Sequence, residues 1–359
     1  MNAVRQILFK ALKGERIEAD EGLVLFEKGD LLELGQVANE IRKRLHPDNR
    51  ITFVIDRNIN YTNICTTGCR FCAFFRAPGH SEGYVLGREE LHAKIRDTIE
   101  QGGTQLLIQG GLNPELQLPY FEEMLRDIKE NFNIHIHSFS PPEIVHMAEG
   151  AGLSIRETVT RLKAAGLDSI PGGGAEILDD RVRKFISPRK IGWEQWMEVM
   201  STAHHLGMKT TATMMFGSVE TLAERMNHLI RVREVQERTG GFTAFIPWSF
   251  QPKHTELGGE TATGAEYLRT LAISRIILDN VPNIQASWVT QGAKMAQVAL
   301  RFGANDFGST MLEENVVRAA GVTNRVPLSE IIDCIRGAGH IPVQRNTLYE
   351  PLIEYGGSG

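Results

Sequence analysis

Ile51-Thr52-Phe53-Val54-Ile55-Asp56 is a β-rich run that closes on an acid, and it is the first of eight such runs in the chain. The others are Thr104 to Gly110, Ile134 to Ser138, Leu167 to Pro171, Lys209 to Phe216, Phe242 to Phe250, Asn283 to Val289 and a short Ala304 to Gly308. Segments of helical period separate them. Phe121, Met124, Leu125, Ile128 and Phe132 form one apolar stripe, and Trp196, Val199, Met200 and Ala203 another. Short β runs alternating with helices argue for parallel βα units. Eight units over residues 51–309 match the length of a (β/α)8 barrel, roughly 250 residues. The expected fold is α/β, a (β/α)8 TIM-type barrel with N- and C-terminal helical extensions. Its expected parts are a helical prefix over 1–50, the barrel over 51–309, and a helical suffix over 310–359.

The prefix carries Leu34, Val37, Ala38, Ile41 and Leu45 at helical spacing. In the suffix, Glu313 to Ala320 and Leu328 to Arg336 read as helices, and the terminal Gly356-Gly357-Ser358-Gly359 reads as disordered. The 359 residues are 42% hydrophobic and 23% charged, and no stretch reaches the ~18 uninterrupted apolar positions of a spanning helix. A formal net charge of -5 leaves no basic excess for neutralising phosphates, so neither nucleic acid nor membrane is an expected partner. The first residues lead into a segment broken by Lys10, Lys13, Glu15 and Arg16, unlike a secretion leader, so the expected location is cytoplasmic.

Three of the four cysteines, Cys65, Cys69 and Cys72, crowd into Cys65-Thr66-Thr67-Gly68-Cys69-Arg70-Phe71-Cys72, just after the first run. That is the C-terminal face, where barrels place their active sites. A structural zinc site wants four protein ligands, and here it would need a distant His such as His80 or His92. Three thiolates suit a 4Fe-4S cluster with one iron left open for the amine and carboxylate of a ligand. Gly68 permits the tight loop, and Phe71 and Phe74 can shield the cluster from water. Cys334 sits among Ile331, Ile332 and Ile335 and reads as a small core hydrophobe.

The C-x3-C-x2-C spacing with Phe71 before the last cysteine resembles the signature of the radical S-adenosylmethionine superfamily. The longer run Asn63-Ile64-Cys65 to Cys72-Ala73-Phe74 resembles the menaquinone futalosine-pathway branch and the deazaflavin synthases. So do Gln109-Gly110-Gly111-Leu112-Asn113-Pro114, Ser138-Phe139-Ser140-Pro141-Pro142-Glu143 and Pro171-Gly172-Gly173-Gly174-Ala175-Glu176-Ile177. Within that group, Pro247-Trp248-Ser249-Phe250-Gln251-Pro252, Ser287-Trp288-Val289-Thr290-Gln291-Gly292 and Phe302 to Ser309 are most similar to the enzymes that cyclise dehypoxanthine futalosine. The resemblance covers residues 1–350. It implies a 4Fe-4S cluster on the three cysteines, S-adenosyl-L-methionine as consumed co-substrate, dehypoxanthine futalosine as substrate, and a reductant such as flavodoxin or ferredoxin. It implies a 5′-deoxyadenosyl radical that takes hydrogen from the sugar, after which the sugar carbon adds to the benzoate ring. Siblings would instead make aminofutalosine or a deazaflavin, and a structural or sensory iron–sulfur protein is the non-enzymatic alternative.

By the same resemblance Phe71, Gly110, Gly111, Ser138, Glu176 and Arg183 fall among the cofactor-binding positions. Gly110-Gly111 would lie against the methionyl amine, or simply end a strand. Because Leu112 and Asn113 stand where many relatives carry an acid, backbone carbonyls would hold that amine. Glu176 is suited to a ribose diol, while Arg183 would pair either the methionyl carboxylate or a neighbouring acid. Ser138 and Ser140 end a strand and are candidates for nucleoside hydroxyls. His135 and His137 point to one side of their strand and read as interior polar contacts rather than a second metal site. Asp306, at the end of the eighth run, is the candidate catalytic base, or a helix cap. Thr213, Trp288 and Gln291 are further candidates for the mouth, and Met214-Met215 reads as barrel filling.

Overall fold

The computed structural model describes residues 3–356, so Gly357 to Gly359, where disorder is expected, lie outside the described residues. Among the described residues eleven strands form: β1 Arg50–Val54, β2 Asp56–Asn60, β3 Gln105–Gln109, β4 His135–Ser138, β5 Ser169–Ile170, β6 Lys209–Phe216, β7 Phe242–Ser249, β8 Asn283–Ile284, β9 Asp306–Ser309, β10 Ile341–Arg345 and β11 Pro351–Glu354. Strands β2 to β8 make a seven-stranded parallel sheet in sequence order. A second sheet has the order β11-β10-β1-β9.

The two sheets join into one ring. Gln285, after β8, bridges Asp306 of β9, and β9 pairs in parallel with β1, which runs through Ile55 into β2. Beyond β9, Thr310 N donates to Val54 O, Leu312 N to Asp56 O, and Asn58 N to Glu313 O. The result is an eight-membered parallel barrel whose closing seam is thin.

Helices cover the outside because each presents one apolar stripe. Phe121, Met124, Leu125 and Ile128 are buried from Leu118–Asn131, and Trp196, Val199, Met200 and Ala203 from Trp193–His205. Ser140/Glu143, Ser154/Glu157 and Thr221/Glu224 each close a capping box that fixes where a crossover helix begins. The helices Ala3–Leu12, Ala19–Lys28 and Leu31–Leu45 pack outside the later units, Leu31–Leu45 against Gly264–Ile277 and Ala19–Lys28 against Leu222–Thr239. Among the described residues no helix is long and apolar enough to cross a membrane.

Three expectations need correction. The run Ile51 to Asp56 is not one strand: the backbone breaks at Ile55, Arg50–Val54 pairs with β9 and β10, and Asp56–Asn60 pairs with β3. The run Asn283 to Val289 stops at Ile284, since Ala286 N and Asn305 N already close the ladder to β9 and Trp288–Gln291 turns helical. The suffix is not wholly helical. Val316–Ala319 and Leu328–Gly337 are helices, but Ile341–Arg345 adds to β1 in parallel and Pro351–Glu354 folds back on it antiparallel.

The seam is held by a buried polar knot. Asn305 Oδ1 accepts from Arg275 Nη2 at 2.7 Å and from Ile284 N at 2.9 Å, while its Nδ2 donates to Asn283 Oδ1 at 2.7 Å. Arg275 also donates to the carbonyls of Gly303, Val281 and Pro282. Asn305→Ala strands a buried guanidinium N–H and a buried amide together, so unfolding in urea should show a loss of about 2–4 kcal/mol.

Candidate active site

The thiol loop is the connection after β2, and backbone bonds fix both its ends. Cys65 N donates to Arg76 O and Arg76 N to Asn63 O, each at 2.8 Å, while the Arg76 guanidinium reaches the carbonyls of Ala73, Phe74 and Phe75. Gly68 takes φ +53° at the tightest point, where the Arg189 guanidinium occupies the space of a side chain. The Thr67 hydroxyl lies 3.0 Å from Cys65 Sγ and 3.4 Å from Cys69 Sγ, so those two thiols face one point. Cys65 and Cys69 are buried and Cys72 half-buried, and all three are free thiols. Burial pushes the Cys69 and Cys72 thiols up, opposed at Cys69 by Lys190 and at Cys72 by the backbone N–H of Phe75.

Gly110 and Gly111 end β3 against this loop, and both contacts demand glycine. A Cβ on Gly111 would overlap the Ile64 carbonyl and sit 2.8 Å from Cys65 Cβ, and one on Gly110 would lie 2.5 Å from the Tyr61 ring. Gly111 N donates to Thr62 O, and Thr66 N to Leu112 O, so the glycine strand and thiol loop are stitched on both sides.

Glu176 follows β5 at φ +41°, a conformation uncommon for a residue with a side chain. It is buried and lines a cavity of about 280 Å³ inside the barrel. Its Oε1 accepts from Lys190 Nζ at 2.9 Å, and its Oε2 is buried without a hydrogen bond. Arg183 Nη1 is 3.6 Å from that oxygen, beyond hydrogen-bond reach. Burial alone would lower the Lys190 ammonium, but Glu176 and the Cys69 thiol outweigh it and hold it above its usual range. Lys190 also stands 5.3 Å over the Phe71 ring, so one cation links the cavity carboxylate to the thiol loop.

The donor set fits an iron–sulfur cluster better than a zinc ion. Among the described residues no three His, Cys, Asp or Glu side chains gather closely enough for a single ion, and a cubane wants its thiolates further apart. The two histidines a zinc site would borrow are engaged elsewhere: His92 Nε2 is 2.6 Å from Asp127, and His80 Nδ1 accepts from Glu82 N. The free Oε2 of Glu176 and the close backbone approach at Gly111 suit a ligand that brings a diol and a methionyl group.

Comparison with known proteins agrees. Residues 59–232 match the model of the Radical SAM superfamily, and residues 239–354 that of the CofH/MqnC C-terminal region. The cyclic dehypoxanthine futalosine synthase of Halalkalibacterium halodurans is 51% identical over 96% of this chain and 94% of its own. The chain belongs to the radical SAM superfamily. The synthase of that name from Streptomyces coelicolor is 46% identical over 98% of this chain and 89% of its own. The 5-amino-6-(D-ribitylamino)uracil--L-tyrosine 4-hydroxyphenyl transferase of Methanocaldococcus jannaschii is 44% identical over 94% and 98%. Among solved structures, methylornithine synthase superposes with a TM-score of 0.74 at 17% identity, over 94% of this chain and 97% of its own. HydG of Carboxydothermus hydrogenoformans gives 0.76 at 17%, over 96% and 80%. Both share this barrel fold.

Within this radical SAM site the expected residues divide. Cys65, Cys69, Cys72, Phe71, Gly110, Gly111 and Glu176 come together. Arg183 does not present its guanidinium to the cavity: it donates to the carbonyls of Gly174, Ala175 and Ile191 and so braces the turn carrying Glu176. Ser138 is spent on Ile108 O, and Ser140 on Glu143. Asp306 lies at the start of β9 rather than its end, fully buried, with Arg345 on both oxygens at 2.5 and 3.1 Å and Thr52 Oγ1 at 2.6 Å. No side of it is open to the cavity, so a role as base there needs another residue. His135 and His137 share the Ser169 hydroxyl, and burial pushes His137 down to about 3. Thr213 and Trp288 line the cavity, whereas Gln291 donates to Ser249 Oγ.

Sequence reasoning missed Lys190, Asp56 and Arg345. Asp56, Asn58 and Asn60 alternate through β2, a period-two polar signal pointing inward, but the assignment of Asp56 to a strand end hid it. Lys190 lies in an aperiodic loop that carries no signal.

Gly111→Ala drives a Cβ into Ile64 and Cys65. Anaerobic reconstitution of this variant should incorporate well under half the iron and sulfide of the unaltered chain, measured by metal analysis, with the far-ultraviolet dichroism unchanged.

Proposed function

We propose that this chain cyclises dehypoxanthine futalosine to cyclic dehypoxanthine futalosine, the activity named for its 51% and 46% identical relatives. The observation that carries the reading is one cavity that joins a Glu176 oxygen without a hydrogen bond, beside the thiol loop, to a polar floor deeper in the barrel. When bound, a 4Fe-4S cluster and S-adenosyl-L-methionine supply the 5′-deoxyadenosyl radical that takes a hydrogen from the substrate's sugar. Cys65, Cys69 and Cys72 would hold the cluster. Glu176 Oε2 would accept from the ribose hydroxyls of S-adenosyl-L-methionine, with Lys190 keeping the carboxylate aimed.

The chain's contribution is confinement. A primary alkyl radical attacks any neighbour in reach, so the sugar must be held at contact distance and other hydrogens kept away. Val54, Leu107, Ile246, Trp248 and Trp288 supply apolar wall, and Trp288 is pinned by its Nε1 donating to Ser309 O at 2.7 Å. Cyclisation ends with the ring losing one electron, for which the cluster would be the acceptor when bound, and one proton, for which Asp56 is the nearest candidate carboxylate. It lines the cavity, with Gln105 Nε2 on Oδ2 at 2.5 Å and the Ser309 hydroxyl on Oδ1. Burial raises its affinity for a proton against those two bonds and nearby Arg345. A small redox protein such as flavodoxin or ferredoxin would meet the loop where residues 77–82 are exposed.

Mass spectrometry of an anaerobic reaction with reductant, S-adenosyl-L-methionine and dehypoxanthine futalosine should show a product lighter by a pair of hydrogens, formed with 5′-deoxyadenosine. Release of 5′-deoxyadenosine with the substrate intact would overturn the substrate. Asp56→Asn should slow product formation by about 10²-fold while 5′-deoxyadenosine still forms. A protonated Asp56 cannot accept, so product formation in the unaltered chain should fall as pH drops through its raised pKa. That limb lies above the ordinary carboxylate range and should be missing from the variant's pH profile.

A further inference from the structure

The cavity has a floor that the thiol loop and Glu176 do not reach. The turn after β10 builds it, and Arg345, Thr347 and Tyr349 line the cavity there. Thr347 Oγ1 and Tyr349 OH are both buried without a hydrogen-bond partner. An unsatisfied buried polar group costs roughly 1–3 kcal/mol, so two hydroxyls left open in one lining mark a place for an acceptor.

Arg345 stands beside them with donors to spare. Its Nε and Nη2 go to Asp306, and Nη1 reaches Asn346 O at 3.1 Å. A guanidinium has five N–H groups in a planar fork, so one on each Nη remains uncommitted and free for a further acceptor. Its face lies 3.8 Å from the Tyr349 ring centroid, which fixes fork and hydroxyl relative to each other.

The turn is built to hold this arrangement. Tyr349 takes φ +67°, and the Asn346 side chain accepts from Leu348 N and Glu350 N while donating to Glu350 Oε2. A bulky residue held in the left-handed region at a cavity wall is strain of the kind that accompanies binding sites.

Uncommitted donors select the occupant. Arg345 is the one Lys or Arg among the described residues lining the cavity, and His137 is neutral there. The sugar of the substrate must sit at the thiol end, where its hydrogen is taken. The far end of the same molecule is an aromatic carboxylate, and the floor is what that end would meet. We propose that Arg345, Thr347 and Tyr349 form a carboxylate subsite that takes the substrate's benzoate and thereby sets which ring carbon faces the sugar. The assignment of benzoate rests on the substrate proposed above, whereas the subsite's preference for an aromatic carboxylate can be tested without it.

The test uses benzoate and its neutral isostere benzamide as probes, titrated by saturation-transfer NMR into cluster-loaded protein with S-adenosyl-L-methionine and no reductant. Benzoate should bind about tenfold more tightly than benzamide, and Thr347→Val with Tyr349→Phe, which keeps the Arg345–Asp306 pair, should weaken benzoate binding about tenfold. Unchanged cluster content and S-adenosyl-L-methionine binding report an intact cavity, and if the double variant does not fold, Tyr349→Phe alone carries the test. Equal binding of both probes by the unaltered chain overturns the subsite, as does a benzoate affinity that the double substitution leaves unchanged. Hydroxyl-dependent benzoate binding in a protein that leaves dehypoxanthine futalosine unconsumed keeps the subsite and removes the substrate.

Discussion

Glu143 is a buried carboxylate that accepts from four donors at once. Oε1 takes the Tyr61 hydroxyl at 2.8 Å and Gly110 N at 3.0 Å, and Oε2 takes Ser140 N at 2.7 Å and Ser140 Oγ at 2.5 Å. Burial raises its hold on a proton, and those same four bonds pull the other way. The donors come from the residue after β2, the residue after β3 and the helix start after β4, so one side chain sets the relative height of three consecutive barrel strands. Tyr61 then fills the space under Gly110, and Gly111 meets Cys65. The thiol loop's position is in this sense a consequence of a carboxylate that touches no thiol.

From that anchor the barrel divides its labour by depth. The early strands carry the thiol loop and, through β5, the Glu176 turn braced by Arg183. The later strands supply the Trp248 and Trp288 wall, and the returning β10 closes the bottom with Arg345. Two buried carboxylates near that floor have opposite surroundings. Asp306 is matched to a guanidinium, whereas Asp56 is held by neutral donors. Environments that differ so much assign different work to chemically identical groups.

Much of this is legible in sequence where local chemistry and position coincide. The cysteine spacing, the Gly110-Gly111 step and the long strands β6 and β7 are readable because each is decided within a few residues. The break at Ile55 is not, since Ile51 to Asp56 contains no glycine or proline and only pairing with β9 and β10 separates the two halves. Strand β10 hides behind Pro342. Arg183 and Lys190 show the limit most clearly: both are cations near Glu176, and only the carbonyls of Gly174, Ala175 and Ile191 decide that the first is spent and the second reaches the site. Asp306 is displaced by register, because the strand begins at that residue rather than ending near it.

In the proposed reaction the cavity presents one hydrogen, on the substrate's sugar, to the radical formed at the thiol end. Turnover with dehypoxanthine futalosine deuterated at the 4′ carbon of the sugar tests it most directly, with the isotope content of the released 5′-deoxyadenosine read by mass spectrometry. Transfer of a single deuterium in nearly every turnover is the predicted result. Unlabelled 5′-deoxyadenosine accompanying a cyclised product would contradict it.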